Sequence, residues 1–410
     1  MIVSPQTAAR SLLNAAAVRE RAHRMLALGE RLPNFRVDLG RLEETARLVI
    51  DTTRAAYPTF DIPFHSRWRH FDIDGFDYWG EIDQAMAWPS ASERARTAFD
   101  LVIVSVLLDA GAGSAWKFRY PVSGEDVSRS EGLALASLVM FRNCEFSKWP
   151  SYPLRVDAEM LEQISEAKLI EGFQVTDENP LAGLAGRVDL LRRLGHAIAA
   201  APEVFARNDT PRPGGLFDHL SALAVDNRIA APVILEEVLK HLGPIWPSRL
   251  TLGGVPLGDC WRHSAIVTGD ETSGLVPLHK LSQWLSYSLI EPLQGAGIKV
   301  TDIDGLTGLA EYRNGGLFID TGVLTPRDPV ATQREHTVDS ELVVEWRALT
   351  VALLDRLAET VRAKLGMDRE TLPLARILQG GTWATGRTIA KKLRPDGGPP
   401  LKIVSDGTVF

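Results

Sequence analysis

Glu311 sits among small residues in the stretch LTGLAEYRNGGLF at 306–318. With about 100° per residue and Asp304 as an N-cap, Leu306, Leu309, Ala310 and Leu317 gather on one side, with Arg313 among them. Glu311 then falls opposite, beside Thr307, Gly308, Asn314 and Gly315, where the surface is shallow enough for a small molecule to approach. The same pattern also describes a solvated glutamate near a helix end. Arg313, on the apolar side, needs its donors satisfied by carbonyls or a carboxylate.

A second set lies just upstream. In VPLHKLSQWLSYSLIEPLQ, Leu278, Leu281, Leu285, Leu289 and Leu293 share one helical face, and Lys280, Gln283, Trp284 and Tyr287 share the other. A lysine with an amide and two aromatics can hold an anion or a sugar, and it can equally make an ordinary helix contact. Asp109 follows an apolar helix and precedes a glycine-rich turn, as a second carboxylate or as a cap for local amides. Trp383 and Arg387 stand four apart in QGGTWATGR, beside glycines that let a neighbour come close. Phe217 and His219, after PRPGG, are placed to close over a ligand, and Arg67, Trp68 and Arg69 to line a phosphate pocket or pack by cation–π contact.

The histidines do not form a metal signature: His65 and His70 are off one helical face, and His263 and His279 stand alone. Cys144 and Cys260 are read as buried and inert, too few for a disulfide framework and fitting a reducing cytoplasm. The GAG at 111–113 lacks both the third glycine of a dinucleotide fingerprint and the lysine-serine of a phosphate loop.

The elements that must position these groups are helices. Apolar residues recur at helical spacing over 8–27, 42–56, 95–108, 131–141, 188–199, 231–242, 278–293 and 343–365. Strand signals are short, at 251–259 and in LKIVSDGTVF at the end of the chain. Glycine and proline clusters at 111–113, 211–215, 243–247 and 394–400 punctuate the helices. With no linker or repeat, the 410 residues read as a single, mostly α domain over 1–410 with a minor β element.

Composition excludes several partners. Acidic residues exceed basic by 52 to 45 with no basic stripe, which argues against nucleic acid. No apolar run approaches the roughly 20 residues of a membrane span, and the first residues read as mature protein rather than a signal peptide.

The blocks LLDAGAGSAWKFRY, RSEGLALASLVMF, HKLSQWLSYSLIEPLQ, LTGLAEYRNGGLFIDTGVL and ILQGGTWATGR, in that order, resemble the fungal and bacterial uracil-catabolism family of the Urc/Urg type over nearly the whole chain. More distantly, they look like the queuosine-salvage nucleoside 5′-phosphate glycosylases. There, tyrosine-lysine-arginine-alanine-glutamine stands where this chain has His279 to Gln283, so Lys280 and Gln283 carry over. Alanine-aspartate-tyrosine-arginine stands where it has Ala310 to Arg313, so Glu311 keeps the carboxylate with one more methylene.

That resemblance implies an all-helical fold similar to helix-hairpin-helix DNA glycosylases, with Glu311 at a ribosyl cation or its attacking water, and Lys280 on a 5′-phosphate. On the same reading Tyr312, Gln283, Trp116 and Trp383 would bind the substrate; from their own positions in the sequence, Phe217 is expected to join them and Asp109 to be the second carboxylate. Where the salvage family has asparagine-phenylalanine-serine-phenylalanine-tryptophan, this chain has Ala112, Gly113, Ser114, Ala115 and Trp116. Both phenylalanines are gone, which implies a leaving group smaller than a wide heterocycle: urea released from ribosylurea or its 5′-phosphate. Neither an organic cofactor nor a metal is expected. The competing expectations are a ligand-binding or accessory protein of the same pathway, and a metal-dependent amidohydrolase acting on an opened pyrimidine.

Overall fold

The computed structural model describes residues 4–404 except 110, 114, 153, 207–209 and 247–249. Ser114 and residues 405–410 of the expected C-terminal strand therefore lie outside the described residues.

The protein is mostly α-helical. Helices Ala15–Leu26, Leu42–Ala56, Ala91–Leu107, Arg129–Arg142, Leu184–Ala200, Ala231–His241, Lys280–Gly295 and Glu341–Leu365 realise the apolar periodicities. The expected helix at 8–27 is two, because Asn14 caps a new one with its side chain on Ala17 N–H at 2.8 Å. The β element is a set of two-stranded ribbons: Phe35–Val37 runs antiparallel to Leu324–Pro326, and Glu335–Thr337 parallel to Lys402–Val404. The expected strand signal at 251–259 is a small hairpin, Thr251–Leu252 with Val255–Pro256.

One apolar cluster runs through most of the helices, from Ala15 to Leu401. The long helix Glu341–Leu365 lies at its centre, packed on Ala15–Leu26 and Leu42–Ala56, while Lys280–Gly295 packs on Ala91–Leu107 and on Ala231–His241. Lys280–Gly295 is buried on nearly every side, so its two faces do not divide into core and solvent.

The opening stretch folds differently from its helical reading. Residues 306–311 are not helical, and the helix Tyr312–Asp320 begins only after Glu311, which is itself the N-cap. Asp304 accepts instead from Leu374 N–H at 2.6 Å and from the Arg362 guanidinium. The glycines serve packing rather than clearance. A Cβ on Gly308 would meet Leu354 at 2.6 Å, and one on Gly315 would meet Trp346 at 2.7 Å. Gly380 and Gly381 similarly admit the helix Leu42–Ala56, their added Cβ atoms falling 3.1 Å from Thr53 and 2.5 Å from Val49.

Gly315→Ala is therefore expected to lower stability by about 1–3 kcal/mol through overpacking. Gly243→Ala, with open space at its Cβ, serves as the control. Urea denaturation compares them, and equal midpoints would show that the Trp346 contact does not constrain this helix.

Candidate functional site

The Glu311 carboxylate is held by the helix it caps: its oxygens accept from Arg313 N–H at 2.7 Å and Asn314 N–H at 2.5 Å. The first-turn amides of a helix are otherwise unsatisfied, and their positive end favours an anion. Glu311 is 8% exposed. Burial pushes its pKa above the ordinary glutamate range, opposed by the Arg313 amide and the charge of Lys280.

Lys280 opens the helix Lys280–Gly295, whose start is fixed by Asp259: the Asp259 carboxylate accepts Lys280 N–H at 2.9 Å and its backbone carbonyl accepts from Leu278 and His279. Asp259 is in turn gripped by Arg347, whose two terminal nitrogens each lie 2.8 Å from a carboxylate oxygen. Burial raises the Asp259 pKa, but the Arg347 pair outweighs it and holds the group down at about 2. The third guanidinium nitrogen of Arg347 donates to the Ala310 carbonyl at 3.1 Å, next to Glu311. One arginine thus sets Lys280 and Glu311 relative to each other.

Asp109 follows the helix Ala91–Leu107 and is tied to the fully buried Arg67 at 2.7 Å and to the Ser130 hydroxyl at 3.4 Å. Burial raises its pKa too, against the pull of Arg67 and Lys280. Burial lowers that of Lys280, against Glu311 and Asp109. Among the described residues the Lys280 ammonium makes no ion pair, although it feels both carboxylates.

These three groups line one cavity of about 560 Å³, together with His65, His70, Gly111, Ala112, Gly113, Arg129, Ser130, Trp284, Tyr312, Arg313 and Trp383. His65, just before the short turn Arg67–His70, and His70, its last residue, both come within 6.5 Å of the Trp284 and Trp383 rings, centroid to centroid. Burial drives His65 down to about 4 and His70 well below its usual value, so both imidazoles are neutral at neutral pH. His65 Nδ1 lies 2.9 Å from Gln379 Oε1, and the buried Trp284 Nε1 has no partner among the described residues. Tyr312 is 36% exposed, and Arg129 and Asp396 stand exposed beside it in the lining.

Of the residues singled out by sequence, Glu311, Asp109, Lys280, Tyr312, Trp383, Trp284, Arg313, His65 and His70 meet in this cavity, and others lie elsewhere. Gln283 turns into the core, accepting Thr307 N–H at 2.8 Å and donating to the Thr307 hydroxyl. Trp116 is fully buried and donates to the Phe173 carbonyl at 2.9 Å. Phe217 packs edge-on to Phe99, and His219 pairs with Glu237 rather than closing over the cavity. Arg67 serves Asp109, Trp68 bonds the Ser288 carbonyl, and Arg69 pairs with Glu291 at 2.6 Å, so none of the three lines it. Tyr287 bonds the Thr307 carbonyl from within the core. Cys260 is buried, with its thiol pushed up by burial, whereas Cys144 is only half-buried.

Sequence reasoning missed Arg129, at the start of the helix Arg129–Arg142, and Asp396, in the 394–400 turn that Arg313 Nη1 holds by the Gly397 carbonyl at 2.7 Å. A larger cavity of about 740 Å³ is lined by Arg10, Lys240, Trp246, Asp259 and His279, but there Asp259 is already committed to Arg347.

The chain matches the family described as protein of unknown function DUF1688 over residues 11–410. It belongs to that family. Among curated relatives it is 39% identical to protein urg3 of Schizosaccharomyces pombe, with 100% of both chains covered. It is 37% identical to uracil catabolism protein 4 of Lachancea kluyveri over 92% of each.

Arg347→Met removes the counter-charge of a buried aspartate, a loss of about 3–5 kcal/mol at neutral pH. The deficit is expected to shrink between pH 7 and pH 5. An unpaired, buried Asp259 has its pKa raised by desolvation and takes up a proton, whereas in the native protein, at about 2, it does not. Urea denaturation at the two pH values measures it, and a pH-independent deficit would contradict the pairing.

Proposed function

We propose that this chain is an enzyme of uracil catabolism that hydrolyses an N-ribosyl bond, releasing urea from ribosylurea or its 5′-phosphate, in a single unit whose fold is similar to helix-hairpin-helix DNA glycosylases. The names of the two relatives support the pathway. The observation that carries the chemistry is one cavity holding two carboxylates with raised pKa values and a lysine without an ion pair.

Cleaving an N-ribosyl bond needs a negative charge where the sugar becomes cationic, a proton for a poor nitrogen leaving group, and a water. Glu311, anchored by two helix amides, holds its anion in one orientation and stabilises the ribosyl cation or directs the water. Asp109, raised by burial, carries the proton to the departing nitrogen. Lys280 takes the 5′-phosphate, and Trp383 and Tyr312 bound the sugar. Gly113 lines the cavity with φ +86°, a conformation a phenylalanine would adopt only under strain, and the missing aromatic platform supports a small leaving group.

Glu311→Gln removes the charge and keeps one of the two helix-cap acceptors, its amide nitrogen facing the other main-chain N–H. Urea release from ribosylurea 5′-phosphate is expected to fall by about a hundredfold or more, while unfolding stays cooperative with a midpoint lowered only by the loss of one cap bond. Lys280→Ala is expected to raise KM for the phosphorylated substrate and spare the unphosphorylated one. Full activity in Glu311→Gln moves the chemistry elsewhere, and tight binding of ribosylurea without urea release makes the chain a binding protein.

The pH profile of kcat/KM is expected to rise through a limb above the ordinary glutamate value of 4.5, because Glu311 must be ionised and burial raises it. It falls first as Asp109 loses the proton it must deliver, through a limb above the ordinary aspartate value of 3.8 because burial raises it. It falls again below the ordinary lysine value of 10.5 as Lys280, lowered by burial, loses its charge. An ascending limb at or below 4.5 would contradict the role given to Glu311.

A further inference from the structure

We propose that His219, Glu237 and His241 form a binding site for a divalent transition-metal ion of the zinc class, stapling the helix Gly215–Leu223 to the helix Ala231–His241. The site lies apart from the Glu311 cavity, since none of the three residues lines it. The inference does not depend on the urea-releasing reaction.

Glu237 and His241 are four residues apart on one helix and so share a face. His219 reaches them from the preceding helix, its ring 5.1 Å from that of His241. Both imidazoles turn Nε2 to the same oxygen, Glu237 Oε2, at 2.6 Å from His219 and 3.0 Å from His241. One ligand atom from each residue lies within 4.8 Å of the others, close enough to surround one ion. Phe205 stands edge-on to His241 with centroids 6.3 Å apart and limits the turning of that ring.

Two imidazole nitrogens and one carboxylate oxygen suit zinc, cobalt or nickel better than magnesium or calcium, which take oxygen ligands. Three protein ligands leave the fourth tetrahedral position to water. The side chains are 22%, 14% and 12% exposed for His219, Glu237 and His241, so an ion can enter. Lys240 stands 3.3 Å from the same Glu237 oxygen but is 62% exposed, free to swing out when a dication takes its place.

The chain, dialysed with Zn²⁺ and then against metal-free buffer, is expected to retain one zinc per molecule by elemental analysis. Co²⁺ in its place should give the visible absorption of a tetrahedral site, and Zn²⁺ should raise the thermal midpoint by stabilising the folded state. His219→Ala and the milder His219→Gln should each lose the retained metal and the cobalt spectrum, while keeping a cooperative unfolding transition. Wild-type protein that retains no zinc and gives no cobalt spectrum overturns the site, as does metal retained equally by both His219 variants.

Discussion

The geometry of the cavity depends on the buried pair between Arg347 and Asp259. A guanidinium matches a carboxylate in a planar fork, and here both bonds are 2.8 Å with Arg347 1% exposed. Such pairs add little net stability over an apolar alternative, because desolvation offsets the attraction. What this one adds is position. Asp259 fixes the first amide of the Lys280 helix, and the remaining donor of Arg347 fixes the carbonyl before Glu311. An anion and a cation from distant parts of the sequence are thereby held at one cavity.

The second constraint is the helix cap. A glutamate whose oxygens receive two main-chain amides is not free to turn toward its nearest cation, so Lys280 stays available to a ligand. Burial raises both carboxylates and lowers the lysine, which brings all three nearer to the pH at which protons are exchanged. The neutral histidines and the two indoles form a wall that adds hydrogen-bonding capacity without adding charge.

Long periodic helices such as Leu42–Ala56 and Glu341–Leu365 were legible because a repeating apolar face has one dominant cause. The Glu311 stretch misled for a definite reason. An extended arm followed by a capped helix can carry the same leucine spacing as one longer helix, and glutamate is not among the preferred N-caps. Gln283 shared a face with Lys280, but in a helix enclosed on all sides a polar face can point into the core. The meeting of His65 with His70, and of Arg67 with Asp109, comes from a short turn and a tertiary ion pair, which leave no periodic trace. Resemblance, rather than periodicity, links Lys280 with Glu311, and Asp109 is read from its place between an apolar helix and a glycine-rich turn.

The most direct measurement is a crystal structure of the protein soaked with ribose 5-phosphate. The account predicts density for the phosphate at Lys280 and the anomeric carbon facing Glu311, within the cavity shared with Asp109 and Trp383. Sugar density bound elsewhere, with Glu311 and Lys280 untouched, would contradict it.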